Sequence, residues 1–113
     1  MASIVPLVLN VDRNGTPWIR EELILTLSLY FQLPFGRLNR ATMEVKELAG
    51  LIGRTANSVA LRLVNFAACD PYIINSGRTG MVAGITICRP IWEEFVEIRK
   101  DYFLKHKKLR QKF

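Results

Sequence analysis

The stretch Val45-Lys46-Glu47-Leu48-Ala49-Gly50-Leu51-Ile52-Gly53-Arg54-Thr55-Ala56-Asn57-Ser58-Val59-Ala60-Leu61-Arg62-Leu63-Val64-Asn65-Phe66 decides the fold of this chain. Val45, Leu48, Ala49 and Ile52 stand at i, i+3, i+4 and i+7, one face of a 3.6-residue period, and Gly53 follows where a left-handed C-terminal residue is wanted. A short amphipathic helix ending at Ile52 is expected. Thr55 is placed to cap a second helix, in which Val59, Leu63 and Phe66 should face the core. The other side of that helix carries Asn57, Ser58, Leu61, Arg62 and Asn65, next to the turn residue Arg54. Side chains of these types meet base edges and phosphates, and a helix, a glycine-marked turn and a second helix is the pattern of a DNA-recognition unit.

Two readings of that pair stand side by side. Amphipathic helices joined by a Gly-containing turn are also common in all-α proteins that touch no nucleic acid, where the pair serves packing or dimerisation. What favours DNA is the absence of any carboxylate from Arg54 to Ala68, since a solvated helix face usually mixes Glu with Lys. Asn65, well inside the helix, has its own alternative: it can turn inward and cap a backbone group of the following loop.

Working upstream, Pro34-Phe35-Gly36-Arg37-Leu38-Asn39-Arg40 reads as a loop in which Phe35 and Leu38 plug the core while Arg37 and Arg40 reach a phosphate. Before it, Thr16-Pro17 is a helix start, with Thr as cap and Pro at the first helical position, and a helix is expected from about Pro17 to Gln32. Glu21 and Glu22 suit its dipole, and Leu23, Leu27, Tyr30 and Phe31 give its core face, with Trp18 and Ile24 beside it. Ile4 to Val11, rich in Val, Ile and Leu but holding Pro6, fits a short edge strand or a plain loop.

Downstream, the second helix should stop before Asp70-Pro71. Tyr72 to Asn75 and Met81 to Ile87 flank a five-residue Gly-containing turn, which suggests a small β-hairpin acting as a wing with Arg78 at its tip; an irregular loop over the core is the other reading. Arg89-Pro90 opens a last helix whose Ile91, Trp92, Phe95, Ile98 and Tyr102 form one stripe. Its Lys105-His106-Lys107-Lys108 run is the densest positive stretch, suited to a phosphate backbone, a linker or a solubilising tail.

The length of 113 residues suits one core. The net charge of +6 is not spread over it: Arg99 to Phe113 holds seven basic residues and one acid, and Met1 to Ile98 holds nine of each. The basic surface is therefore the C-terminal tail plus the arginines of the helix pair. The two cysteines are too few for a disulfide scaffold, no signal-peptide pattern opens the chain, and the longest apolar run, Leu23 to Phe31, falls short of the roughly 20 residues of a membrane span. A cytoplasmic protein with reduced thiols and no membrane partner is expected.

Catalytic chemistry is thin. With one His, no His-based triad, no pair of imidazole ligands and no His/Cys zinc site is expected, there is no CxxC, and no glycine pattern matches a P-loop or dinucleotide fingerprint. The pairs Glu21-Glu22 and Glu93-Glu94 both fall in expected first turns, where the helix dipole accounts for them. Neither metal nor cofactor is expected, and no catalysis by this chain alone.

Taken in order, Trp18-x-Arg20-Glu21-Glu22-Leu23-Ile24-Leu25, Leu29-Tyr30, Leu33-Pro34-Phe35-Gly36-Arg37, Glu47-Leu48-Ala49, Ile52-Gly53-Arg54-Thr55-x-Asn57-Ser58-Val59-Ala60, Leu63-x-Asn65-Phe66-Ala67, Asp70-Pro71 and Ile91-Trp92-Glu93-Glu94-Phe95 form a set. The set resembles the N-terminal domain that precedes an HNH nuclease domain in bacterial restriction endonucleases. The resemblance spans about Trp18 to Phe95 and implies a DNA-reading module, with cutting done by a His-rich metal-binding domain further along. No such domain lies in these residues, which implies either a piece of a longer nuclease or a stand-alone reader.

The expected architecture is mainly α: a helix-turn-helix domain over residues 1–98, with or without a wing or small sheet, and a basic helical extension or linker over 99–113. The expected partner is double-stranded DNA, read by Arg37, Arg40, Arg54, Thr55, Asn57, Ser58, Leu61, Arg62, Asn65, Arg78, Lys105, Lys107 and Lys108. A homodimer and a covalently linked nuclease domain in a longer parent are compatible with this reading.

Overall fold

A computed structural model describes residues 11–111, with side chains to residue 99. The described chain is mainly helical: α1 (Arg20–Gln32), a 3-10 turn (Phe35–Arg37), α2 (Met43–Ile52), α3 (Ala56–Cys69), α4 (Pro71–Asn75) and α5 (Ile85–Gln111). Among the described residues there is no strand. The candidate strand Ile4 to Val11 lies almost wholly outside them.

Helix α3 is the hub, packed against α1, α2, α4 and α5. Val59, Leu63 and Phe66 are fully buried on it, as the period requires, together with Val45 and Ile52 of α2. Each such side chain is worth about 1.5–3 kcal/mol of apolar burial. Tyr30 of α1 lies 6.4 Å from the Phe66 ring and 5.8 Å from Trp92 of α5, an aromatic junction joining three helices. Phe31, expected in the core, is instead 39% exposed.

The α2–α3 turn follows local chemistry. Gly53 has a φ of 74°, and a Cβ added there would stand 1.6 Å from the Val11 carbonyl oxygen, so the close approach of the N-terminal segment also demands glycine. The Arg13 N–H donates to the Gly53 carbonyl at 2.8 Å. Thr55 caps α3 by accepting from the Ser58 N–H at 3.1 Å, and the Thr55 N–H itself donates to Asn14 Oδ1.

Helix α1 starts three residues later than Thr16-Pro17 suggests. The Thr16 hydroxyl donates back to the Arg13 carbonyl, closing a turn, and the Thr16 and Pro17 carbonyls accept from the Arg54 guanidinium at 2.7 and 3.0 Å. Those carbonyls serve an arginine rather than a helical ladder. Glu22 takes over the start of the helix: its Oε1 accepts from the Ile19 N–H at 3.0 Å.

The same Glu22 carboxylate is fully buried and forms a two-pronged pair with Arg54, Nε to Oε2 at 2.8 Å and Nη2 to Oε1 at 2.9 Å. The guanidinium also lies 4.8 Å from the Trp18 ring centroid. This pair bolts the α2–α3 turn to the first turn of α1.

The expected hairpin over residues 72–87 is replaced by helices. Asp70 caps α4 by accepting from the Tyr72 N–H at 2.9 Å, with Pro71 pre-set for the first helical position, and Ile73 is buried beneath. Residues 76–84 form a loop, and α5 begins at Ile85, ahead of the expected Arg89-Pro90 start. Pro90 then lies inside α5, where it removes one backbone donor. Both Pro90 and Thr86, the residue whose carbonyl loses that donor, are exposed. Helix α5 runs unbroken through the expected boundary at residues 98 and 99.

Breaking the buried pair leaves one charge without its partner, a loss of about 3–5 kcal/mol. Arg54→Ala is therefore expected to lower unfolding free energy by that amount in urea titrations. Burial alone would raise the Glu22 carboxyl, but hydrogen bonds from Arg54 and the Ile19 N–H outweigh it and hold the group below 4.5. A lowered folded-state value stabilises the fold fully above the unfolded value and is lost as the pH falls through the folded one. Acid titration should thus destabilise the wild type below about pH 4.5, with a flatter acid limb in Glu22→Gln.

Candidate nucleic-acid interface

The expected site residues divide into three groups. Thr55, Asn57, Ser58, Leu61 and Arg62 stay together on the first two turns of α3, with Thr55 and Asn57 exposed and the other three half-buried. The Ser58 hydroxyl lies 2.8 Å from Thr55 Oγ1, so these two are tied to the cap. Asn57 has no side-chain partner within the described residues.

Arg54 and Asn65 leave the surface, which corrects the expectation for both. Arg54 is 7% exposed, with its donors committed to Glu22, Thr16 and Pro17, so it offers nothing to a phosphate. Asn65 is fully buried and takes the inward role: its amide donates to the Met81 and Ala83 carbonyls at 2.7 and 2.8 Å. Gly80 and the Met81 N–H complete the attachment. The N–H donates to the Val64 carbonyl at 3.0 Å, and a Cβ at Gly80 would lie 2.4 Å from backbone atoms of α3. The 76–84 loop is thereby clamped over the second half of α3.

Arg62 sits at the edge of that clamp. One of its Nη groups lies 3.4 Å from the Gly84 carbonyl, a long contact, its Nε is buried without a partner, and its guanidinium lies 5.9 Å from the Trp18 ring centroid. Within the described residues, only its Nη groups keep uncommitted hydrogens.

The third group is dispersed. Arg37 is exposed but pairs through both Nη groups with Glu44 at 3.0 and 2.8 Å, holding that carboxyl below its usual range, so a phosphate would have to displace a carboxylate. Arg40 is exposed in the turn before α2 and has no ion pair within the described residues. Arg78 is exposed in the 76–84 loop, 5.5 Å from the Phe35 ring centroid, near the opposite end of α3. Lys105, Lys107 and Lys108 fall on the last turns of α5.

Among the described residues, no three His, Cys, Asp or Glu side chains gather to hold a metal ion. Burial pushes the Cys88 thiol up to about 12 and lifts Cys69 as well, so neither supplies a thiolate near neutral pH. No described helix is long and apolar enough to cross a membrane.

Two important residues escape local reading. Glu22 looks like an ordinary first-turn acid, and its partner lies 32 positions away. Asn14 caps the Thr55 N–H from 41 positions away. No family model, curated protein or solved structure matches the chain.

The loop clamp has a direct consequence. Asn65→Ala leaves two carbonyls without their donor and should cost about 1–3 kcal/mol in chemical denaturation. Proteolysis between residues 76 and 84 should accelerate in the same variant; unchanged stability and cleavage would mean that Asn65 does not hold the loop.

Proposed function

We propose that the chain is a double-stranded DNA-reading module of the kind found in restriction-type HNH endonucleases, non-catalytic by itself. The supporting observation is the first two turns of α3, which present Asn57, Ser58, Leu61 and Arg62 without a carboxylate while the opposite face is locked into the core. The α2–turn–α3 unit is the reader, in the manner of a helix-turn-helix, with no β-hairpin wing among the described residues. In the major groove an Asn pairs bidentately with adenine and an Arg with guanine, and Leu61 suits a thymine methyl, each good polar pair giving about 1–3 kcal/mol of discrimination. The basic end of α5 supplies sequence-independent attraction. The quoted motifs support a parent nuclease in which a separate domain cuts.

A second reading has an observation of its own. Met43 and Leu51 of α2 are 62% and 39% exposed, and Leu25, Leu29, Leu48 and Leu51 line a groove between α1 and α2. That surface suits a protein partner or a second copy of the chain.

Titration of labelled duplex DNA at two salt concentrations separates the two. DNA reading predicts a steep salt slope, and a protein-interaction module predicts none. Removing residues 99–113 should weaken all duplexes about equally, whereas Asn57→Ala and Arg62→Ala should relax sequence preference more than nonspecific affinity. If both substitutions leave affinity and preference untouched, the interaction-domain reading replaces this one.

A further inference from the structure

At the far end of α3 from Asn57 lies a concave pocket of about 310 Å³, at the lower end of the roughly 300–1,000 Å³ range of small-ligand sites. Helix α3 has 14 residues, so the two regions are separated by about 20 Å. Four aromatic side chains line the pocket: Tyr30, Phe31, Phe35 and Tyr72. Asp70 and Arg78 are its charged members.

Its polar parts are held in place before any ligand arrives. Asp70 Oδ2 accepts from the Tyr30 hydroxyl at 2.6 Å and Oδ1 from the Tyr72 N–H at 2.9 Å. Burial and that bond to Asp70 hold the Tyr30 phenol far above its usual range, so it remains a donor. A carboxylate has about four acceptor sites, and these bonds leave capacity for a further donor. Arg78 is exposed, has no ion pair within the described residues, and rests over the Phe35 ring. Tyr72 is 77% exposed, so its ring is open to a ligand at the pocket rim.

Aromatic walls with one acid would ordinarily suit an organic cation. Arg78 argues against that guest, because a positive charge already lies over Phe35 and a second would be repelled. Flat rings, an unpaired guanidinium and a fixed carboxylate suit a different ligand, one with a planar heterocycle, N–H donors and an anion.

We propose that this pocket binds a nucleotide, with its base stacked on Tyr72, its N–H groups directed to Asp70 and its phosphate on Arg78. The nucleotide is either free or part of a single strand, since both present the same chemistry. The site is separate from the duplex-reading end of α3 and does not depend on it.

NMR titration of the full chain with each of the four deoxynucleoside monophosphates, the matching nucleosides, a short single-stranded oligonucleotide and tetramethylammonium tests the assignment. Resonances of Phe35, Tyr72 and Arg78 should shift, and the monophosphate should bind about tenfold tighter than its nucleoside. Arg78→Gln should erase that difference while leaving nucleoside affinity unchanged. Tyr72→Ala, at an exposed position, should weaken both ligands by about fivefold to a hundredfold, the range of base–aromatic stacking. Asn57→Ala should change neither. Tighter binding of the oligonucleotide than of any monophosphate identifies a strand as the source, and the reverse order a free nucleotide. The proposal is overturned if no nucleotide shifts these resonances at about 10 mM, if nucleoside and monophosphate bind equally, or if tetramethylammonium is preferred.

Discussion

The buried pair between Glu22 and Arg54 is the constraint on which the rest of the arrangement depends. One carboxylate caps α1 and receives the guanidinium, and that guanidinium occupies the carbonyls of Thr16 and Pro17 while covering Trp18. Residues 16–22 and the α2–α3 turn, more than 30 positions apart in sequence, thus meet at two side chains. Buried pairs are a costly way to gain stability, because desolvation offsets much of their attraction. What this pair gains is definition: it fixes where the α2–α3 turn sits against α1, and so where the first turns of α3 lie.

A second constraint acts at the other end of the same helix. Asn65, Gly80 and the Met81 N–H hold the 76–84 loop on α3, so its later turns are covered and its first two remain open. The helix therefore has two unlike ends. One carries the exposed Asn57 and the half-buried Arg62 beside a well-satisfied cap, and the other closes into an aromatic pocket around Asp70 and Tyr30. A rigid helix with different chemistry at each end can engage one partner at its start without disturbing the other end.

Much of the helical frame is legible in the sequence because its causes are local. The 3.6-residue spacing of Val59, Leu63 and Phe66 marks the buried face of α3, Gly53 and Thr55 mark the turn, and Asp70-Pro71 marks the end of α3. Errors arise where one local signal is outbid by another interaction. Thr16-Pro17 has the form of a helix start, but Arg54 claims its carbonyls; Tyr72-Ile73-Ile74 has β propensity, but the Asp70 cap makes it helical. At the candidate interface, Asn57, Ser58, Leu61 and Arg62 follow from helical phase alone. Arg54, in the turn before α3, and Asn65, within the helix, turn inward; the sequence leaves the inward role of Asn65 open, but nothing within a few residues of Arg54 announces a partner 32 positions away.

The proposed contact is between the open first turns of α3 and duplex DNA. Amide chemical-shift mapping on the full chain with a short duplex, at low and then high salt, addresses it without any substitution. Shifts centred on residues 55–62 that fade as salt rises are the predicted result. Shifts confined to the α1–α2 groove around Leu25, Leu48 and Leu51, or none at any salt concentration, would contradict it.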